Sequence, residues 1–360
     1  MPREQLVGGG LIVALIVLVG VGLWKTSAPH TVAVVRQSKA VMGTSCTLMA
    51  IVPSNESVHA DQIVHEAETT LRGVEARMSA WLNDSELGRF NAAGASREIP
   101  LSPETLAVLR TARQAWTQTG GAFDVTCRPL IELWRDAGRR DMVPTDSALD
   151  RARAASSWDD IELTATGAAK RTATASVDLG GIAKGYAIDQ AADVLWHACV
   201  DGGLVDVGGD LVCFGRPHHG HDWPIDVKNP FGPGILARLR IGGGAVCTSG
   251  NYARFTQIGG RRYSHIIDPR TGRPADVALS VTVWALDAVT ADVWATALSV
   301  LREQGLARLP QSVEALLVVG TKDQHHLICT PGFRLILDEP LPAGLRVWKP
   351  PSIAPGPSQD

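Results

Sequence analysis

The sequence predicts an α+β fold, on three observations. Short strand-like pieces dominate the middle of the chain: Ile161 to Val177, Leu204 to Phe214, Trp223 to Val227, Leu236 to Val246, Tyr252 to Gln257 and Leu279 to Ala285. The helical patterns are few and interrupt these runs at irregular intervals, unlike the regular alternation of a parallel fold. No internal repeat is visible.

Taken in order, Ser38 to Val52 alternates as a strand and holds Met42-Gly43-Thr44. Val64, Ala67, Leu71, Val74 and Met78 recur at helical spacing, an amphipathic helix that runs into a loop and short helix, MSAWLNDSELGRFNA, with Trp81. Ser102 as N-cap, Pro103 at the first helical position and an apolar face of Leu106, Leu109, Ala112 and Trp116 mark the next helix, which Gly120-Gly121 ends. GAFDVTCRPLIELW follows, and Asp141 to Ser157 is polar, either helical or loop-like. Thr174 to Val177 reads as the end of a strand, before Asp178 and a Gly180-Gly181 turn. A helix with Ala187, Ala191, Val194, Leu195 and Ala198 on its apolar face comes next. A last helix is expected from about Ala291 to Glu303, then strands near Ala315 to Val319 and His326 to Thr330. Residues 346–360 are expected to be a proline-rich, loosely ordered tail.

The chain has 360 residues, 45% of them hydrophobic, which is ample for a core. A formal net charge of −3 without a dense Lys/Arg stripe argues against nucleic acid as a partner. Leu6 to Trp24 is an unbroken apolar and glycine run between Arg3 and Lys25. As a helix it would be about 28 Å long, roughly one hydrocarbon core. A cleavable secretory signal is the alternative, but Thr26-Ser27-Ala28-Pro29 makes a poor cleavage site. Residues 1–30 are therefore expected to be a membrane anchor or an uncleaved signal segment, with one domain over residues 31–345. The six cysteines (Cys46, Cys127, Cys199, Cys213, Cys247 and Cys329) include no CxxC pair, so a cysteine zinc site is not expected. Several lie inside apolar runs and are expected to be buried free thiols. None stands near the end of the apolar segment, which excludes a lipid-anchored maturation there.

Chemistry concentrates in a few places. Two glycines at a strand-to-helix turn let a ligand come close, and the free N–H groups of a helix start attract an anion. Lys184 in the first turn adds a mobile point charge suited to phosphate, while Asp178 can accept from a ligand or support a cation. The same turn alone would serve equally as a tight connection. Asp292 and Thr296 stand four apart on a helix, with Cβ atoms about 5–6 Å from each other. They are either oxygen ligands of the kind Mg²⁺ accepts, or an Asp favoured by a helix start beside a Thr packed for shape. His265 precedes a Pro-Arg-Thr-Gly turn, and an imidazole can take a proton from a hydroxyl nucleophile. Asp268 carries the signature of a residue closing that turn. Trp81 either stacks on a flat ring or closes a helix face; Phe123 and Asp124 either contact a ligand or begin a strand. His218, His219 and His221, in a Gly/Pro loop, read as solvated rather than as a metal site.

The ordered series MGT, MSAW…SELGRFN, GGAFDVT…PLIELW, VDLGGIAKGYAID, VGGDL, CTSGNYARF, SHIIDPRTGRP and TADVWATAL resembles the ApbE family of FAD:protein FMN transferases, over roughly Val41 to Leu301. Trp81 stands where relatives often carry Tyr, and Asp206 where the family usually has Asn. The resemblance implies a T-fold-related core, a mixed and largely antiparallel sheet flanked by helices. It implies that Met42 and Trp81 contact FAD and that Ala122, Phe123 and Asp124 line the flavin or its ribityl chain. Asp178 and Lys184 would hold FAD, and Ile267 would touch the nucleotide. Mg²⁺ would be bound by the backbone oxygen of Gly181 with Asp292 and Thr296. His265 would be the base that deprotonates a threonine hydroxyl of an acceptor protein, so that FMN becomes joined to it and AMP leaves. Acceptors would be subunits of membrane redox complexes of the Nqr or Rnf type. The same resemblance implies a bacterial inner-membrane protein, anchored once, with its catalytic domain on the periplasmic side. A metal-dependent FAD pyrophosphatase and a non-catalytic flavin-binding protein are the competing readings.

Overall fold

A computed structural model describes residues 30–217, 222–250, 255–276, 278–321 and 323–349. The expected anchor, His218, His219, His221 and residues 251–254 of the CTSGNYARF motif lie outside the described residues. Among those described, no helix is long and apolar enough to cross a membrane.

The described residues open with a hairpin, β1 (Thr31–Val41) and β2 (Thr44–Pro53), where a single strand was expected. Met42 and Gly43 turn it, both at positive φ (49° and 75°), the two-residue geometry that matches the twist of paired strands. α1 (Ser57–Met78) buries the predicted stripe Val64, Ala67, Leu71, Val74 and Met78. α2 (Glu86–Ala92) starts at Ser85, whose hydroxyl accepts the Gly88 N–H. β3 (Ile99–Pro100) forms a small sheet with β4 (Ile161–Leu163) and β5 (Gly167–Lys170). α3 (Pro103–Thr119) has the predicted Ser102 cap and ends at Gly120.

GAFDVTCRPLIELW supplies a helix, α4 (Arg128–Arg140), followed by α5 (Asp146–Ala154). The segment from Thr174 to Val177 is not a strand. Val177 is satisfied instead by the Asn91 side-chain amide, which donates to its carbonyl at 2.9 Å and accepts its N–H at 2.8 Å. α6 (Ala183–His197) then begins just after the glycine turn, as predicted.

β6 (Gly202–Val207) and β7 (Asp210–Gly215) again form a hairpin where one strand was read, turned at Gly208 and Gly209. β8 (Trp223–Lys228) pairs with β9 (Ile235–Ile241); β10 (Gly244–Gly250) precedes a further hairpin, β11 (Phe255–Ile258) and β12 (Arg261–Ser264). The short pair β13 (Ile267–Asp268) and β14 (Arg273–Pro274) leads to β15 (Ala278–Ala285) and α7 (Ala288–Leu301). The remaining elements are β16 (Glu314–Gly320), β17 (His325–Cys329), α8 (Pro331–Ile336) and β18 (Leu345–Val347).

Among the described residues the main sheet has nine strands in the order β1-β2-β6-β7-β10-β15-β16-β17-β18, antiparallel except at β17–β18. α1, α6 and α7 cover one face over Leu48, Val205, Cys247, Val283 and Leu317. The β8–β9 hairpin and α8 cover the other, where Trp223, Leu239 and Phe333 meet Ile51, Leu211 and Leu316. The predicted mixed, largely antiparallel core is thus the one observed. All six cysteines are free; Cys46, Cys213, Cys247 and Cys329 are buried, whereas Cys199 is exposed.

One buried carboxylate fastens α1 to the sheet edge. Glu68 is 7% exposed and accepts from Arg36 of β1 at 2.6 Å and from Arg72 at 2.8 Å. Burial raises its carboxyl, but the bonds from Arg36 and Arg72 outweigh that and hold it at about 2, below its ordinary 4.5. A depressed folded-state value contributes stability above pH 4.5 that is lost as pH falls towards 2. Glu68→Gln is expected to melt below the wild type at pH 7 and to converge with it near pH 2, as followed by circular dichroism.

Candidate active site

Lys184 stands in the first turn of α6, so the glycine turn before it lies against that helix start. Gly181 is small because two side chains approach it: a Cβ there would stand 3.1 Å from the Phe123 ring and 3.3 Å from Thr296 Oγ1. Thr296 and Asp292 lie one turn apart on α7. Asp292 is not at the helix start, as was read from the sequence. Asp287 caps the helix by accepting the Thr290 N–H at 2.7 Å, which places Asp292 in the second turn, only 4% exposed. Asp292 Oδ2 accepts the Gly185 N–H at 3.1 Å, and its Oδ1 lies 3.9 Å from Lys184 Nζ. The same ammonium makes a close ion pair with Asp210 of β7, whose other oxygen accepts the Thr248 N–H at 2.8 Å.

α6 and α7 are locked in register. A Cβ at Gly185 would meet the Ala288 carbonyl at 2.4 Å, so the helices touch backbone to backbone. Asp189 of α6 accepts the Ala288 and Val289 N–H groups at 2.7 and 2.9 Å, capping α7 from outside. Burial pushes the Asp189 carboxyl up to about 7.

His265 is exposed and lines a cleft of about 410 Å³ with Trp81, Trp134, Arg135, Ser264 and Ile267. The turn behind it is held by Asp268, whose carbonyl accepts the Gly272 N–H at 2.8 Å and whose carboxylate accepts from Arg270. Trp134 Nε1 donates to the Gly272 carbonyl at 2.8 Å, and its ring packs on Tyr263 of β12 with centroids 5.3 Å apart. Asp268 therefore closes the turn that presents the imidazole. Trp81, 52% exposed, forms a wall of this cleft rather than merely closing a helix. The guanidiniums of Arg128 and Arg135 lie over its ring, 4.8 and 4.4 Å from the centroid.

Arg128 joins the cleft to the glycine turn. Its Nη1 is buried, lacks a hydrogen-bond partner, and stands 3.7 Å from Asp178 Oδ2. Asp178 in turn accepts the Gly180 N–H at 2.8 Å, and burial raises its carboxyl above the ordinary value. An unsatisfied buried donor is costly, so an acceptor oxygen brought beside this N–H would be stabilising.

Residues 122–124 bring the two halves together. Ala122 packs on Ile266, next to the histidine, and on Val300 and Leu301 of α7. The Phe123 ring lies over Gly181. Asp124 accepts from Thr126 through both its N–H and its hydroxyl, and burial pushes its carboxyl up to about 6. Neither Phe123 nor Asp124 begins a strand. Met42 stands at the β1–β2 turn, where its N–H donates to Glu75 at 2.9 Å.

The backbone of Gly181, the Thr296 hydroxyl and the Asp292 carboxylate share one neighbourhood, and hard oxygen donors of this kind suit Mg²⁺. Among the described residues no three His, Cys, Asp or Glu side chains cluster as a metal cage. A metal here would accordingly leave several positions to water and to phosphate oxygens. The sequence reading had missed Arg128, Arg135 and Asp210. The two arginines are seven apart on α4, a same-face spacing that shows once 128–140 is read as a helix. Asp210 sits in VGGDL, just after Asp206, whose carboxylate accepts the Gly209 N–H at 2.8 Å.

Comparison with known proteins decides the family. The sequence pattern of the ApbE family matches residues 42–317. The chain belongs to the ApbE family. An FAD:protein FMN transferase of Vibrio cholerae is 34% identical over 281 residues, which is 76% of this chain and 84% of that protein. One from Klebsiella pneumoniae is 32% identical over 299 residues, 78% of this chain and 85% of the relative. The solved flavin transferase ApbE from Vibrio cholerae has a TM-score of 0.76 at 32% identity, over 85% of this chain and 100% of that one. The ApbE protein of Thermotoga maritima has a TM-score of 0.76 at 27% identity, over 86% of this chain and 100% of that one. The nine-stranded sheet with its helical layer is thus an ApbE architecture.

Proposed function

We propose that this ApbE-family enzyme transfers the FMN part of FAD to a threonine hydroxyl of an acceptor protein and releases AMP. One observation carries the reading: residues 122–124 tie the turn bearing His265 to the cluster of Gly181, Asp292 and Thr296. Family membership and the FAD:protein FMN transferase activity named for relatives support flavin transfer.

In this reading a flat ring of FAD stacks on Trp81, with Ile267, Ala122, Phe123, Asp124 and Met42 around the flavin and nucleotide. The diphosphate reaches the buried Arg128 N–H, the α6 start and Lys184, which hold it in line. Asp178 keeps Arg128 aimed. His265 takes the proton from the acceptor hydroxyl; the oxygen bonds to the FMN phosphorus as the bond to the AMP phosphate breaks. Mg²⁺ held by Gly181, Asp292 and Thr296 would supply neutralisation of charge on the diphosphate. The apolar run Leu6–Trp24 would hold the domain at the periplasmic side of a bacterial inner membrane, beside an acceptor subunit of an Nqr- or Rnf-type complex.

Incubating the full chain with FAD, Mg²⁺ and an acceptor protein is expected to yield a fluorescent, covalently flavinylated acceptor and AMP. Free FMN and AMP without labelled acceptor would instead mark a pyrophosphatase. Binding without turnover would mark a flavin-binding protein, and either result sinks the transfer reading. Arg135→Ala is expected to weaken FAD binding about 3- to 10-fold by removing a cation from the Trp81 wall. Quenching of flavin fluorescence reads this out, and an unchanged affinity would take Arg135 out of the site.

A further inference from the structure

We infer that Lys184 is a place-holder cation, which neutralises Asp210 and Asp292 in the free enzyme and is displaced from Asp292 when a divalent cation binds. This deepens the function proposed above and rests on its assignment of Asp292 to the metal.

Both carboxylates are nearly buried, with side chains 7% and 6% exposed. Each has one oxygen fixed by a backbone N–H, Thr248 for Asp210 and Gly185 for Asp292. The other oxygen of each faces the same ammonium. Two buried anions side by side repel each other and lose hydration, so a cation between them relieves a large cost. Lysine suits a temporary role: its charge is compact and rides on a flexible stem, where arginine would hold a fixed fork. It also stands at the helix start beside the glycine turn, within reach of an arriving phosphate.

A divalent cation shared by Asp292, Thr296 and Gly181 would bring two further positive charges against the ammonium. Lysine and metal therefore compete for one carboxylate, and each weakens the other by the same factor. A diphosphate changes the sign. It gives Lys184 a new anionic partner, vacates Asp292, and so makes substrate and metal bind cooperatively. The order of events follows: metal binds weakly to the free enzyme and tightly once the dinucleotide is present.

Titration of Mg²⁺ into the FAD-free full chain, read by calorimetry and by melting temperature, tests this. Lys184→Met is expected to melt lower than wild type without metal and to bind Mg²⁺ about tenfold more tightly. Lys184→Arg, which keeps the charge, is expected to show no such gain. FAD is expected to raise the Mg²⁺ affinity of the wild type, and by much less that of Lys184→Met. Equal or weaker Mg²⁺ binding by Lys184→Met overturns the inference while leaving the metal assignment intact. If that variant does not fold, the wild type alone decides, since no gain in Mg²⁺ affinity on adding FAD overturns it equally. Wild type whose Mg²⁺ binding is unaffected by Asp292→Asn overturns both the inference and the metal assignment beneath it.

Discussion

His265→Ala is expected to lower FMN transfer by about 100- to 10,000-fold, the usual contribution of a positioned general base, while FAD affinity changes little. The imidazole is exposed in the cleft, so its removal leaves no buried cavity. Its turn is held by Asp268, Arg270 and the Trp134–Gly272 bond, none of which involves the ring. The groups proposed for phosphate and flavin, Arg128, Lys184 and Trp81, belong to other elements and stay in place. A loss of turnover with binding intact is therefore the signature of a base. Binding by flavin fluorescence and transfer by in-gel fluorescence of the acceptor separate the two. Added free imidazole is expected to restore part of the rate by entering the vacated cleft. Transfer at the wild-type rate in the alanine variant would remove His265 from the chemistry.

What could be read before the structure depended on how local the physics is. α1 and α6 showed in the sequence because each buries a stripe at helical spacing against a sheet, such as Val64, Ala67, Leu71 and Val74. The hairpins at Met42-Gly43 and Gly208-Gly209 were hidden, since a two-residue turn barely interrupts the apolar alternation on either side. Thr174 to Val177 looked like a strand, but its hydrogen bonds go to the side chain of Asn91, and no nearby pattern reveals so distant a partner. α4 was overlooked because its buried face is only Leu130, Trp134 and Ala137 among many charges. The same pattern hides the arginine pair. The order of short motifs singled out His265, Gly181, Asp292 and Thr296. Arg128 and Asp210 became visible only once folding set their charges against Asp178 and Lys184.

Asp292→Ala is expected to raise the Mg²⁺ concentration needed for half-maximal transfer by more than about tenfold, because the proposed metal set contains a single carboxylate. The substitution also does something unrelated to metal. It strips the buried Gly185 N–H of its acceptor at the point where α6 and α7 touch, a loss of about 1–3 kcal/mol. Low activity in the alanine variant could thus arise from a loosened helix pair. Asp292→Asn separates the causes, since its carbonyl oxygen can still accept from Gly185 while the negative charge is gone. Both variants are expected to share the shifted Mg²⁺ requirement, and only the alanine variant to melt appreciably lower. If Asp292→Asn keeps the wild-type Mg²⁺ requirement, the carboxylate serves the helix contact and not the metal. The close approach of Gly185 to Ala288 would then explain its burial by itself. If the requirement shifts, the same side chain both seals two helices together and presents its second oxygen to a cation, which explains why it lies in the second turn of α7 rather than at the exposed helix start.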